Sequence, residues 1–313
     1  MTYAFDPELA PLVPLLPTSS LADIDAARAG LEALLAPLNQ DVDTTGVDVS
    51  DATVTADTGA VPVRLYAPTG SAPATGRPAL LDIHGGGFAL GSIDMEHIFA
   101  TQVARELGAV VVTPEYRLAP EHPFPAGLDD CYATLVWLHD HTADLGVDPA
   151  RIAIGGQSAG GGLSAGLALL ARDRGGPDVC FQFLGIPELD HRLETTSMRT
   201  FVDTPLWNRP NAELSWQYYL GDATDVSPYA SPAIAGDLRG LPPAYVSTME
   251  FDPLRDEGIL YALRMMEAGV SVELHAFPGT FHGSAMIPMA AVSRRSHAEV
   301  IDALRRGLGV DQP

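Results

Sequence analysis

The run Arg151-Ile152-Ala153-Ile154-Gly155-Gly156-Gln157-Ser158-Ala159-Gly160-Gly161-Gly162 passes from an apolar stretch through glycines into a second apolar stretch. Arg151 to Gly155 reads as a buried strand, and Ala159 to Arg172 carries a helical pattern. Between them, Gly156-Gln157-Ser158-Ala159-Gly160 spells G-x-S-x-G, a pattern that needs a strand–turn–helix setting. There a serine stands on a sharp turn at a helix N-terminus, where backbone N–H groups favour negative charge. Gly156 and Gly160 supply the small flanks that such a turn requires. A glycine-rich turn with a serine helix cap would spell the same letters, so the rest of the chain must decide.

Upstream, the strand pattern Ala79–Ile83 runs into His84-Gly85-Gly86-Gly87-Phe88. An HGGG run after a buried strand donates backbone N–H groups to the oxyanion of a tetrahedral intermediate, partnered by the N–H of the residue after the nucleophile, here Ala159. Glycine lets the backbone approach a substrate closely. Gly86 with one neighbour, Gly85 or Gly87, is the expected donor pair, and His84 is expected to brace the loop.

In this chain order the acid follows the serine and the base comes last. Of the later histidines, His275 lies inside the strand pattern Val270–Phe277 and His297 inside the last helical pattern. His282 stands just past a strand, where groups at the carboxyl ends of parallel strands gather. Asp252 follows the strand Ala244–Met249 in the same way. Its rivals are Asp256, inside the next helix, and Glu250, expected on the other face; Asp252 before Pro253 would also suit a helix N-cap.

Farther out, apolar strands alternate with helical stretches from residue 79 to the last helix, Met289–Leu308, which argues for a parallel sheet covered on both faces: an α/β fold. Two short strands, Ala52–Ala56 and Val61–Ala67, precede this, joined by a turn at Asp57-Thr58-Gly59-Ala60. Before them, Ser19 or Ser20 is expected to cap a helix with an apolar face at Leu21, Ile24, Leu31, Leu34, Leu35 and Leu38. The rhythm breaks at about 187–230, an inserted helical piece rich in aromatics. The expected division is 1–45 and 187–230 as a cap over a core of 46–186 and 231–313.

Composition narrows the chemistry. The 313 residues carry 18 Arg and 40 Asp or Glu, a net charge of −22, and no lysine. Such a surface repels nucleic acid and anionic lipid. Without lysine there is no Schiff base, no P-loop lysine and no Ser-x-x-Lys acyl enzyme. Cys131 and Cys180 read as buried free thiols in a cytoplasmic protein, with a disulfide left open. No leader, membrane span, metal cluster or cofactor is expected.

Taken together, His84–Phe88, Tyr116-Arg117-Leu118-Ala119-Pro120-Glu121, Gly156–Gly161, Asp252-Pro253-Leu254-Arg255-Asp256-Glu257-Gly258 and Phe281-His282-Gly283 resemble the bacterial hormone-sensitive-lipase family of esterases. Residues 155–162, 201–207 and 277–284 are similar to the corresponding stretches of its heroin-esterase type. The resemblance implies an α/β-hydrolase fold with a mostly parallel sheet and a helical cap. It implies hydrolysis of short acyl esters, often acetyl esters of bulky alcohols, by Ser158, His282 and Asp252; the expected partner is a small-molecule ester, with a homo-dimer or higher oligomer as the assembly to look for. Phe88, Trp207 and Phe201 are pocket candidates, and Arg117 is expected to pair with a carboxylate. Gln157 departs from the family's usual acidic residue, which leaves the role of that side chain open. A receptor that has lost catalysis and an amidase remain as alternative readings.

Overall fold

The computed structural model describes residues 3–18, 20–56 and 59–311. The strands are β1 (Val47–Ala56), β2 (Gly59–Pro68), β3 (Arg77–Ile83), β4 (Val110–Pro114), β5 (Val147–Gln157), β6 (Phe181–Gly185), β7 (Ala244–Phe251) and β8 (Val272–Phe281). They form one eight-stranded sheet in the order β1-β2-β4-β3-β5-β6-β7-β8. β1 pairs antiparallel with β2, and β2 with β4; every pairing from β4 through β8 is parallel. The expected hairpin forms, with Ala56 opposite Gly59; Asp57 and Thr58 of its turn lie outside the described residues.

The helices are α1 (Ile24–Asn39), α2 (His97–Leu107), α3 (Ala126–Asp140), α4 (Thr142–Leu145), α5 (Ala159–Arg174), α6 (Thr196–Thr200), α7 (Arg209–Leu220), α8 (Arg255–Glu267) and α9 (Ala291–Gly307). Alternate strand residues face opposite ways. Ala79, Leu81, Val110, Val112, Ile152 and Ile154 pack with α3, α5 and α8 in one core. Leu80, Val111, Ala153 and Tyr245 pack with α2 and α9 in a second core. Helix α5 is buried at every position from Ala159 to Ala171, which explains why its sequence is small and apolar all round.

Before the sheet, the structure corrects one expectation. Asp23, not a serine, caps α1, its side chain accepting from the Ala26 N–H at 3.1 Å; Ser19 lies outside the described residues, and Leu21 is buried ahead of the helix. The apolar face of α1 is covered only in part. Ile24, Ala27 and Leu31 pack against Leu90, Met198, Trp207, Ala212 and Leu254, whereas Leu34 and Leu38 are exposed. Arg28 ties this helix down, donating to the Ala89 and Ala119 carbonyls at 3.0 Å each and, through both terminal nitrogens, to Glu121. The inserted region holds α6 and α7, and its Trp216 and Tyr219 join the core beside α5. Among the described residues no helix is long and apolar enough to cross a membrane, and both cysteines are free.

Candidate active site

Strand β5 delivers Ser158 at its carboxyl end, and the turn into α5 is strained there: Ser158 has φ +58° and ψ −123°. A non-glycine residue holds such a conformation only where its surroundings impose it. They do so from several sides. A Cβ on Gly156 would stand 2.2 Å from the Ile83 carbonyl oxygen, and one on Gly160 would stand 1.9 Å from the same atom. The Ser158 N–H donates to the Gly185 carbonyl at 2.8 Å, and the Ser158 carbonyl accepts from Glu188 N–H at 3.1 Å. The end of β6 and the segment after it therefore grip the serine by both of its backbone polar groups.

His282 follows β8 directly, because that strand runs on through Pro278 and Gly279 to Phe281. Its Nε2 lies 3.0 Å from Ser158 Oγ. Its Nδ1 lies 2.7 Å from Asp252 Oδ2. Asp252 stands just past β7, and its other oxygen accepts from the Leu254 N–H at 2.9 Å. All three are buried. A serine, an imidazole and a carboxylate in one hydrogen-bonded line can pass a proton from hydroxyl to imidazole while the carboxylate holds the ring's tautomer.

The rivals are engaged elsewhere. Glu250 accepts from the Gly279 N–H at 2.6 Å. Asp256 pairs with Arg255 and accepts from the Ser197 N–H at 2.7 Å. His275 pairs with Glu273 and Glu299, and His297 Nε2 lies 2.6 Å from Gln102.

The glycine loop closes over this line. A Cβ on Gly85 would come 3.4 Å from the Ser158 Cβ, so the loop backbone lies against the serine. Gly86 (φ +116°) and Gly87 (φ +57°) adopt conformations that disfavour any side chain. The loop's own hydrogen bonds run from Ala89 and Leu90 N–H to the Gly86 carbonyl, at 3.2 and 2.8 Å, and so consume none of the glycine N–H groups. The Ala159 N–H opens α5, where the first donors of a helix have no intrahelical acceptor. His84 braces the loop: its Nδ1 meets the Gly85 carbonyl at 2.8 Å and its ring stacks on Tyr116 at 4.1 Å. Burial pushes its pKa down to about 4, which keeps the ring uncharged.

Arg117 pairs in a fork with the buried Asp130, at 2.9 Å through Nε and 2.8 Å through Nη2, while its own N–H donates to the same carboxylate at 2.9 Å. Of the aromatic candidates, Trp207 stands over the site, its ring 5.8 Å from that of His282 and its edge against Gly87. Phe88 is stacked on Tyr219 at 3.9 Å inside the core. Phe201 packs among Tyr3, Phe251 and Arg255, beside the N-terminal segment. The Gln157 side chain lies against Gly185, where a Cβ would stand 2.9 Å from its Cγ. Among the described residues no cluster of His, Cys, Asp or Glu could hold a metal ion.

Sequence reasoning missed two polar groups here, Glu188 and Ser215. Glu188 is wholly buried, and neither of its carboxyl oxygens has a hydrogen-bond partner among the described residues. Ser215, on α7, donates its hydroxyl to the Gly87 carbonyl at 3.0 Å. Only the break in strand rhythm after Ile186 marked this region.

Comparison with known proteins identifies the family. A family model described as the alpha/beta hydrolase fold matches residues 80–286. The solved structure of a bacterial heroin esterase is 55% identical, with a TM-score of 0.95 over 97% of this chain and 98% of its own. The esterase LipW from Mycobacterium marinum is 38% identical, with a TM-score of 0.88 over 97% of this chain and 96% of its own. Carboxylesterase NlhH from Mycobacterium tuberculosis is 39% identical over 320 residues, 97% of this chain and 96% of that protein. With eight strands in this order and motifs in these places, the chain belongs to the α/β-hydrolase family, in its branch resembling hormone-sensitive lipase.

Proposed function

We propose that this chain hydrolyses short-chain acyl esters, acetyl esters of bulky alcohols foremost, through an acyl enzyme on Ser158. That it is a carboxylic ester hydrolase follows from its family and relatives; the acyl preference and the roles of the residues are our reading. The observation that carries it is the continuous line Ser158 Oγ–His282 Nε2, 3.0 Å, and His282 Nδ1–Asp252 Oδ2, 2.7 Å.

In this reading His282 takes the Ser158 proton as Oγ attacks the ester carbonyl, then gives it to the departing alkoxide. Asp252 holds the tautomer and stabilises the imidazolium. Water repeats the cycle on the acyl enzyme and frees the acid. Gly86, with Gly85 or Gly87, and Ala159 direct N–H groups at the oxyanion, each worth roughly 3 kcal/mol in the transition state. Residues 1–45 and 187–230 act as the cap over the core, and Trp207, set between the glycine loop and His282, is the side chain best placed to bound the substrate. Phe88 and Phe201 support the pocket from behind. The two free thiols fit a cytoplasmic enzyme.

The test is a chain-length series of p-nitrophenyl esters with the wild type and Ser158→Ala side by side. A maximum at acetate or butyrate, abolished in the variant, is expected. A maximum at octanoate or longer would refute the short-acyl preference, and equal rates in the two proteins would refute the nucleophile.

A further inference from the structure

Gly87 and Phe88 form the centre of a tight turn in the glycine loop. The Gly86 carbonyl accepts from the Ala89 and Leu90 N–H groups beyond them, and both central residues sit at φ +57°. Glycine holds that conformation freely; phenylalanine holds it only where its surroundings insist. Such a turn has a second form, reached by flipping its central peptide, that needs a left-handed residue at the first central position only. With glycine first and phenylalanine second, local preference favours the second form. A contact from outside the turn must select the first.

Helix α7 of the inserted region supplies that contact. Tyr219 stacks on the Phe88 ring at 3.9 Å, Trp216 lies 5.4 Å from it, and the Ser215 hydroxyl donates to the Gly87 carbonyl at 3.0 Å. The helix is itself anchored: the Tyr219 carbonyl accepts from the Phe124 N–H at 2.7 Å, and the Asn211 side chain accepts from the Leu21 N–H at 3.1 Å. A hydroxyl on a helix can spend its proton on the carbonyl four residues back, as the buried Thr101, Thr134 and Ser164 do. Ser215, wholly buried, sends its proton out of the helix to the loop. The carbonyl it holds belongs to the Gly87–Phe88 peptide, the one whose flip would exchange the two turns. Carbonyl and N–H point opposite ways across a peptide, so an oxygen held at α7 stays off the opposite face of the loop.

We propose that Ser215 is a positioning residue for the oxyanion loop: its hydroxyl pins the Gly87–Phe88 peptide in the strained turn, so that the loop presents N–H groups and not a carbonyl oxygen. Without that bond the peptide flips, Phe88 escapes its left-handed conformation, and the Gly87 oxygen leaves α7 and disturbs the donors of the neighbouring glycines. This inference rests on the esterase reading and adds to it a residue of the inserted region that serves the chemical step without touching substrate.

The experiment measures kcat and KM on phenyl acetate, and Ki for an aryl trifluoromethyl ketone, in wild type, Ser215→Ala and Ser215→Cys. The ketone reports on the oxyanion site alone: Ser158 Oγ adds to its carbonyl carbon, His282 takes the hydroxyl proton, and the carbonyl oxygen becomes the oxyanion. Alanine removes the hydroxyl with little change of shape, and cysteine keeps the shape with only a weak donor. In Ser215→Ala, kcat is expected to fall about 10- to 100-fold with KM within about threefold, and Ki to rise by the factor that kcat/KM loses. Ser215→Cys is expected to move both in the same direction. A packing defect that merely lowers the fraction of folded enzyme would reduce kcat and leave Ki unchanged; that result overturns the proposal, as does a kcat in Ser215→Ala within about threefold of wild type. If Ser215→Ala does not fold, Ser215→Cys decides by the same two readings. A wild type that is folded yet inactive and takes no fluorophosphonate adduct overturns the esterase reading, and this proposal with it.

Discussion

The Ile83 carbonyl oxygen stands 1.9 Å from the point that a Cβ on Gly160 would occupy. One atom at the end of β3 thus forbids a side chain two residues past the nucleophile. The same oxygen excludes a Cβ on Gly156, so both glycines of the motif share a neighbour. Gly160→Ala should cost about 3 kcal/mol, because backbone rather than a yielding side chain must shift. Chemical denaturation measures the loss, and a fluorophosphonate reports whether Ser158 is still presented. An unchanged midpoint would mean that the turn can relax.

The choice of acid is open to a direct comparison. Asp252→Asn should lower kcat roughly 10³- to 10⁴-fold, by leaving His282 in the wrong tautomer. Asp256→Asn should leave kcat within about threefold, since Asp256 serves Arg255 and the Ser197 N–H. Steady-state kinetics on one short ester decides; comparable losses in both variants would count against Asp252.

Arg117 and Asp130 lock the loop after β4 to α3. Asp130 is buried, while the arginine is about one-third exposed. Arg117→Ala should therefore destabilise by about 2–3 kcal/mol, mostly through the carboxylate left unpaired. Adding Asp130→Asn should restore part of that loss, and a double-mutant cycle of unfolding free energies reads the coupling.

A pair of buried carboxyls, Asp82 on β3 and Glu96 ahead of α2, should show in the pH dependence of stability. Burial raises both, Glu96 to about 7. A carboxyl raised on folding contributes stability that is full below its unfolded pKa, near 4.5, and is lost as pH rises through the folded value. The melting temperature of the wild type should thus fall between about pH 5 and 8. Glu96→Gln should fall less over the same interval, and parallel curves would show that Glu96 does not titrate there.

The parts of this molecule that were legible in the sequence are those written in local chemistry. The strands β3 to β8 announced themselves as apolar runs, and Ser158, Asp252 and His282 stand just after three of them. The glycine loop was legible because only glycine tolerates those backbone angles. The start of α1 was not, because Ser19, Ser20 and Asp23 are all cap-forming residue types and the sequence does not say which of them the first turn uses. Glu188 and Ser215 were invisible for a different reason. A buried glutamate looks like any other until the fold removes its partners, and Ser215 meets Gly87 across 128 positions of chain. The pocket aromatics fall between these cases: their type was readable, but only the fold puts Trp207 beside His282 and turns Phe201 toward Tyr3.

The N-terminal segment carries a further consequence. The Asp6 N–H donates to the Gly279 carbonyl at 2.8 Å, and Leu9 packs with Phe277 and Phe281, so residues 6–9 brace the loop that presents His282. Ser158 waits 124 positions for that histidine. On the proposed mechanism, Ser158 and its glycine loop gain their base only when residues 6–9 and 277–282 have come together. Specific activity per mole of polypeptide then counts only those molecules in which these two distant segments have met.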